Sequence, residues 1–220
     1  MLKKSYQYRF EIFLITQLSI LFGSLVFPSD FYENILYPLF LLTNVIAGIN
    51  LISEKRKLVW FFVSLLIVEG ILFGTYFFNN TDELLVSKIK FFIYFLFYVT
   101  VSYEIINQVW KAKYINKNVI FGLISGYISL GFIGLFIYLS VDLWYPNSFY
   151  GVDAVFNTTE ELMYFSYITL MSIGYGDISP ITPIAQKATI FIGLMGQFYL
   201  VIITAIIVGK YISQSNQKKQ

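Results

Sequence analysis

The sequence predicts an all-α membrane protein of six transmembrane helices, with a re-entrant pore helix and a stretch of extended backbone between the fifth and the sixth. Three observations predict it. Of the 220 residues, 57% are hydrophobic and only 13% charged. Apolar stretches of spanning length recur along the chain, and one further apolar stretch, too short to cross, ends in Gly-Tyr-Gly. So greasy a composition leaves too little polar surface for a soluble domain, and the solvent of the fold is lipid. The net charge of +2 comes without a long basic run, so no nucleic-acid partner is indicated. Cys and His are both absent. That removes disulfides, thiolate and imidazole metal sites, and any mechanism with a Cys nucleophile or a His base. Neither an enzyme nor a bound cofactor is expected.

A helix that crosses the hydrocarbon needs roughly 17 to 25 predominantly apolar residues. Such stretches lie at about 10–27, 32–52, 58–78, 91–110, 118–141 and 185–212. Short polar hairpins separate the first four, so neighbouring helices are expected to be antiparallel. A long connection follows only the fifth. The basic residues orient the set, because short cytoplasmic loops retain Lys and Arg. One side collects Lys3, Lys4 and Arg9, then Lys55, Arg56 and Lys57, then Lys111, Lys113 and Lys117, then Lys210, Lys218 and Lys219. Lys88, Lys90 and Lys187 fall on the other, with most of the carboxylates. Both termini are therefore expected in the cytoplasm and the connection after the fifth helix outside. Trp60 and Trp110 near the inner boundary, and Trp144 and Tyr145 near the outer one, suit the aromatic belts of lipid headgroups.

The connection after the fifth helix carries the chemistry. Residues 157–177 enter with Asn157 and Thr158, run through an apolar stretch, and end Ser172-Ile173-Gly174-Tyr175-Gly176-Asp177. Thr158 and Glu161 have the spacing of a capping box, which starts a helix by satisfying its first amides. The C-terminal end of that helix would point into the membrane, where its negative dipole end favours a cation. Non-helical backbone at membrane depth is tolerated only where protein buries it or where it lines a water-filled path. The glycines permit backbone angles that residues with a Cβ resist, so successive carbonyls can be turned toward one axis.

The stretch Thr169-Leu-Met-Ser-Ile-Gly-Tyr-Gly-Asp177 resembles the signature of the potassium channels, Thr-x-x-Thr-Val-Gly-Tyr-Gly-Asp. The likeness extends from Tyr164-Phe165-Ser166 through Ile178-Ser179-Pro180 and into the last helix. More loosely, the whole chain is similar to small six-helix members of that family without a cytoplasmic regulatory domain. The resemblance implies K+ as the permeant ion, held at the carbonyls of Ser172, Ile173, Gly174 and Tyr175, with the Ser172 hydroxyl completing the innermost site. Gly176 would close the filter, and Thr169 and Asp177 would support it. It also implies an N-terminal four-helix domain over 1–117, a pore domain over 118–212 and a tail over 213–220. Within the pore domain the pore helix would be 158–171, the filter 172–176 and the inner helix 185–212. Gly196 lies where the inner-helix hinge of the family falls, and Gly193 is its neighbour as a candidate gating bend; close helix packing is the alternative role for both. Two residues depart from the pattern: Ser172 stands for the usual Thr, and Met171 for a small hydroxylated residue.

One pore segment cannot surround an ion, so a homotetramer in membrane lipid is expected, with the plasma membrane as its default location. Six helices invite comparison with voltage-gated channels, but the fourth has no Lys or Arg between Phe91 and Trp110. Moving one charge across the field supplies about 2.3 kcal/mol per 100 mV, so little or no voltage dependence is expected. Glu69, in the middle of the third helix, is a candidate intramembrane acid, and Glu104 is expected to pair with Lys111 or another interfacial base. Two rival readings are a non-selective cation channel, if Ser172 and Met171 loosen the filter, and a proton-coupled secondary transporter that uses Glu69.

Overall fold

A computed structural model describes residues 6–28, 31–78, 83–112, 114–152 and 158–217, with the side chains at 33, 34, 69–78, 83–87, 204 and 215–217 outside the description. Helices dominate it. Hydrocarbon offers backbone N–H and C=O groups no partner, and a helix satisfies them internally. In chain order they are α1 (Arg9–Phe22), α2 (Tyr37–Leu51), α3 (Arg56–Phe78), α4 (Glu83–Lys111), α5 (Lys117–Trp144), α6 (Thr158–Leu170) and α7 (Pro183–Gln217). Among the described residues, three helices are long and apolar enough to cross a membrane: Lys88–Lys111 in α4, Lys117–Trp144, and Pro183–Gln214 in α7. Helix α2 is a shorter apolar helix. The stretch expected as the first span forms the 14-residue α1 followed by a 3₁₀ turn over Gly23–Leu25. Gly and Ser at 23 and 24 are weak helix formers, which accounts for the change there. Contacts divide the chain into two compact units, one of Met1–Val68, Val101–Ile128 and Lys210–Gln220, the other of Glu69–Thr100 and Ser129–Gly209.

In the first unit α1 packs on α2. A π-helical turn over Tyr32–Leu36 leads into α2, whose first turn contains Pro38. Proline has no amide to donate, and a widened turn accommodates the missing bond. The Tyr32 ring is buried, its hydroxyl donating to the Ile20 carbonyl. Gly23 leaves room for that ring, since a Cβ there would overlap it. Buried amides find partners as burial demands: Asn44 Nδ2 donates to Thr16 Oγ1 at 2.8 Å and Gln17 Nε2 to the Ser125 carbonyl at 3.3 Å. Glu104, 7% exposed, pairs with Lys55, so the interfacial base is Lys55 and not Lys111. Gln108 knits the same corner, donating to Glu104 Oε1 at 3.1 Å and the Leu51 carbonyl at 3.2 Å while accepting from Arg9 Nε at 2.9 Å.

At the C-terminal end of α4 a side chain replaces the missing backbone donors. Lys210 Nζ donates to the carbonyls of Val109 at 3.2 Å, Trp110 at 2.7 Å and Ala112 at 2.7 Å. The last carbonyls of a helix lack intrahelical donors and carry its negative dipole end, so an ammonium group there is stabilising. Gln214 Oε1 accepts from the Ile115 amide at 3.2 Å. Lys210→Met is therefore expected to lower the thermal midpoint of the detergent-solubilised protein, by a loss of about 1–2 kcal/mol. Lys210→Arg should retain most of that stability. Intrinsic fluorescence melts of the two variants check it.

The second unit is held by rings. Tyr98 stacks on Phe132 at 4.8 Å and Tyr94 on Phe136 at 5.3 Å. Tyr138 stacks on Phe165 of α6 at 4.8 Å, with Phe149 edge-on to Tyr138 at 5.2 Å. Such offset and edge contacts add about 0.5–1.5 kcal/mol each beyond area burial. Helix α6 lies close to α5 because α5 is small where they meet. A Cβ at Gly131 would overlap the Tyr167 ring, and one at Gly134 would overlap Ser166 Oγ. Ser166 Oγ then donates to the Gly131 carbonyl at 2.7 Å. Lys88 Nζ lies 4.1 Å from the centre of the Trp144 ring, a cation–π contact.

Candidate functional site

Helix α6 stops at Leu170. Three backbone bonds close its end: Met171 N to Tyr167 O at 2.9 Å, Ser172 N to Thr169 O at 3.0 Å and Ile173 N to Ile168 O at 2.9 Å. Beyond them the chain is neither helix nor strand through Tyr175. Its φ is positive at Ser172 (57°), Gly174 (58°) and Gly176 (86°), and at neither Ile173 nor Tyr175. Backbone that alternates between right- and left-handed helical conformations turns successive peptide groups the same way, amides to one side and carbonyls to the other. Glycine takes the left-handed angle freely, which explains 174 and 176. Ser172 takes it with a Cβ, a conformation found in a few per cent of non-glycine residues. Strain of this kind collects at functional sites.

The whole loop 171–177 is exposed in the single chain, Ile173 at 47% and Tyr175 at 73%. Helix α7 exposes large apolar side chains as well, among them Phe191, Phe198 and Val201.

The C-terminal end of the loop is anchored twice. Tyr164 of α6 donates from its hydroxyl to Asp177 Oδ2 at 2.6 Å. Behind Asp177 sits Gly151, at φ 82°, where a Cβ would overlap the Asp177 carbonyl oxygen. A two-stranded ribbon aligns this contact: β1 (Phe149–Tyr150) runs antiparallel to β2 (Ser179–Pro180), pairing Tyr150 with Ser179. Thr182 then accepts from the Ala185 amide at 3.4 Å and Pro183 begins α7, the usual chemistry of a helix start.

The Tyr164 hydroxyl stabilises the ionised form of Asp177 and holds its carboxyl below the usual carboxylate value of 3.8. The same bond pushes the Tyr164 phenol up to about 12. A carboxyl with a depressed pKa keeps its anchoring charge through the ordinary range and loses it as pH falls through the lowered value. Tyr164→Phe removes the largest cause of that depression and raises the Asp177 pKa, so acid disruption of this end of the loop should begin at higher pH in that variant. The pH dependence of ion flux in the two proteins checks it.

Of the residues expected to act, Ser172, Ile173, Gly174, Tyr175 and Gly176 lie together on this loop, with Asp177 at its C-terminal end. Thr169 supports it from α6: its carbonyl takes the Ser172 amide, and its side chain meets the Tyr138 hydroxyl, which also donates to Thr189 Oγ1 at 3.2 Å. Helix α7 runs unbroken from Pro183 to Gln217. Gly196 is buried on it, and a Cβ there would overlap the Leu170 carbonyl oxygen at the end of α6. Nothing lies within 4 Å of a Cβ at Gly193. Glu69 is on α3, and its side chain lies outside the described residues. Sequence reading did not find Gly151 or Gln197, whose Nε2 donates to Ser172 Oγ at 2.6 Å. Their partners are distant in the chain, and neither belongs to a spacing pattern.

Residues 123–213, which hold the end-stopped α6, the loop and most of α7, match the family model described as an ion channel. The match supports an ion-conducting channel, and the long apolar helices support a membrane protein. No curated protein and no solved structure matches the chain.

Proposed function

We propose that the chain is one subunit of a homotetrameric potassium channel, in which the loop 172–176 of each copy faces a common axis and K+ passes between the carbonyls. The observation that carries the reading is the alternation of positive φ at Ser172, Gly174 and Gly176 in a loop that follows the C-terminal end of α6. Aligned carbonyls replace the hydration shell of a K+ ion, and four such rows are needed to surround it. The exposure of Ile173, Tyr175 and the apolar face of α7 supports burial against further copies, since patches of this kind mark contact sites.

On this reading the six apolar stretches span the membrane, α6 is re-entrant, both termini are cytoplasmic, and the membrane is that of the cell. The four N-terminal helices occupy the place of a voltage sensor without its charges. Purified protein should run as a tetramer after cross-linking and release K+ from loaded liposomes when a proton carrier balances charge. Conductance should vary little with voltage. A monomer, or a conductance that rises steeply with depolarisation, contradicts the respective part of this reading.

A further inference from the structure

Gln197 has no part in the conduction path as described so far. It sits on α7 within the largely apolar run Ile190 to Ile207, which also holds Tyr199 and Thr204, and it is exposed in the single chain. Its bond is the 2.6 Å donation to Ser172 Oγ. Two neighbours bring this about. Gly196 lacks a Cβ, which lets α7 come against the Leu170 carbonyl at the end of α6. The next residue of α7 is thereby delivered to the first residue of the loop. Ser172, at φ 57°, meanwhile projects its side chain from a left-handed backbone, a direction that an ordinary extended or helical residue would not give.

We propose that Gln197 is a positioning residue for the innermost cation site, fixing the Ser172 hydroxyl so that its oxygen faces the conduction axis. The proposal rests on the potassium-channel reading above. A serine hydroxyl has one proton and two acceptor lone pairs. The Gln197 amide occupies one lone pair, leaving the other for a cation and the proton for a neighbouring oxygen. Without that bond the hydroxyl is distributed among three staggered wells. Occupancy of the ligating position falls by about threefold in each subunit, and the loss compounds around the axis.

The test uses the full chain in planar bilayers with Ba2+ applied from the inner side. Ba2+ has nearly the radius of K+ and twice its charge, so its block reports the oxygen ligands of the first site it reaches. Gln197→Met preserves length and removes the amide; Gln197→Asn keeps the amide and withdraws it by one methylene. Each should raise the half-blocking Ba2+ concentration by about threefold or more, and Asn serves as the test if the Met variant does not assemble. In a Ser172→Ala background, Gln197→Met should leave the half-blocking concentration where Ser172→Ala alone puts it. Unchanged block in both Gln197 variants, or an equal further loss in the Ser172→Ala background, overturns the proposal while leaving the channel reading intact. Wild-type protein that passes no K+ current overturns both.

Discussion

Gly176→Ala should abolish selective K+ conduction. Gly176 stands at φ 86° with no atom within 4 Å of where a Cβ would be, so the cost of Ala is conformational and not steric crowding within the chain. A residue with a Cβ pays roughly 1–2 kcal/mol to hold the left-handed region. Four copies around one axis multiply this to about 4–8 kcal/mol per pore, enough to favour a loop in which the carbonyl row is lost. Gly174→Ala, at φ 58°, should act in the same direction. Uptake of radioactive Rb+ into K+-loaded liposomes measures it: wild-type protein should accumulate tracer, and each Ala variant should fall to the background of empty liposomes. Tracer uptake at the wild-type level in either variant would show that the alternation of φ is not what conduction requires.

Gly196→Ala and Gly193→Ala should separate packing from bending. A Cβ at Gly196 overlaps the Leu170 carbonyl oxygen, while one at Gly193 meets nothing within 4 Å of the same chain. A backbone carbonyl at the end of α6 cannot step aside as a flexible side chain does. Gly196→Ala must push α7 away from the base of the loop, at a cost of the order of 1–3 kcal/mol for overpacking. Loss of both tetramer thermal stability and K+ flux is expected. Gly193→Ala should keep its stability, because Ala favours a helix over Gly by about 1 kcal/mol and no clash offsets it within the chain. If Gly193→Ala, not Gly196→Ala, abolished flux in a stable protein, a bend at Gly193 would be the better account.

The loop was the most legible part of the sequence, because its chemistry is local. Gly-Tyr-Gly after a short apolar stretch already demands backbone that is not helical, and the positive φ values fall on Gly174 and Gly176 as that pattern requires. The stretch 158–171 is helical over Thr158–Leu170, and the last helix starts at Pro183, two residues before the apolar run suggested. Residues whose role depends on distant partners were not legible. Gly151 looks like a loop glycine until the ribbon pairing Tyr150 with Ser179 sets it against Asp177. Gly196 was open to two roles, a gating bend or close helix packing, because only its type and position were visible; its contact with Leu170 is tertiary. Glu104 had several bases within sequence reach, and the turn after α2 delivers Lys55. The apolar stretch expected over 10–27 forms α1 and then a 3₁₀ turn at Gly23–Leu25, a change that hydropathy does not register because it is blind to the weak helix propensity of Gly23 and Ser24.

The central claim is that the loop 172–176 selects K+, and the reversal potential of current through purified protein tests it most directly, with K+ on one side of a planar bilayer and Na+ on the other. A reversal potential far from zero in the direction set by K+, lost on Gly176→Ala, is the predicted result. A filter-dependent current that reverses near zero would contradict it and mean that Ser172 and Met171 have opened the path to Na+, while slow, saturable, proton-coupled flux indifferent to Gly176→Ala would indicate a transporter.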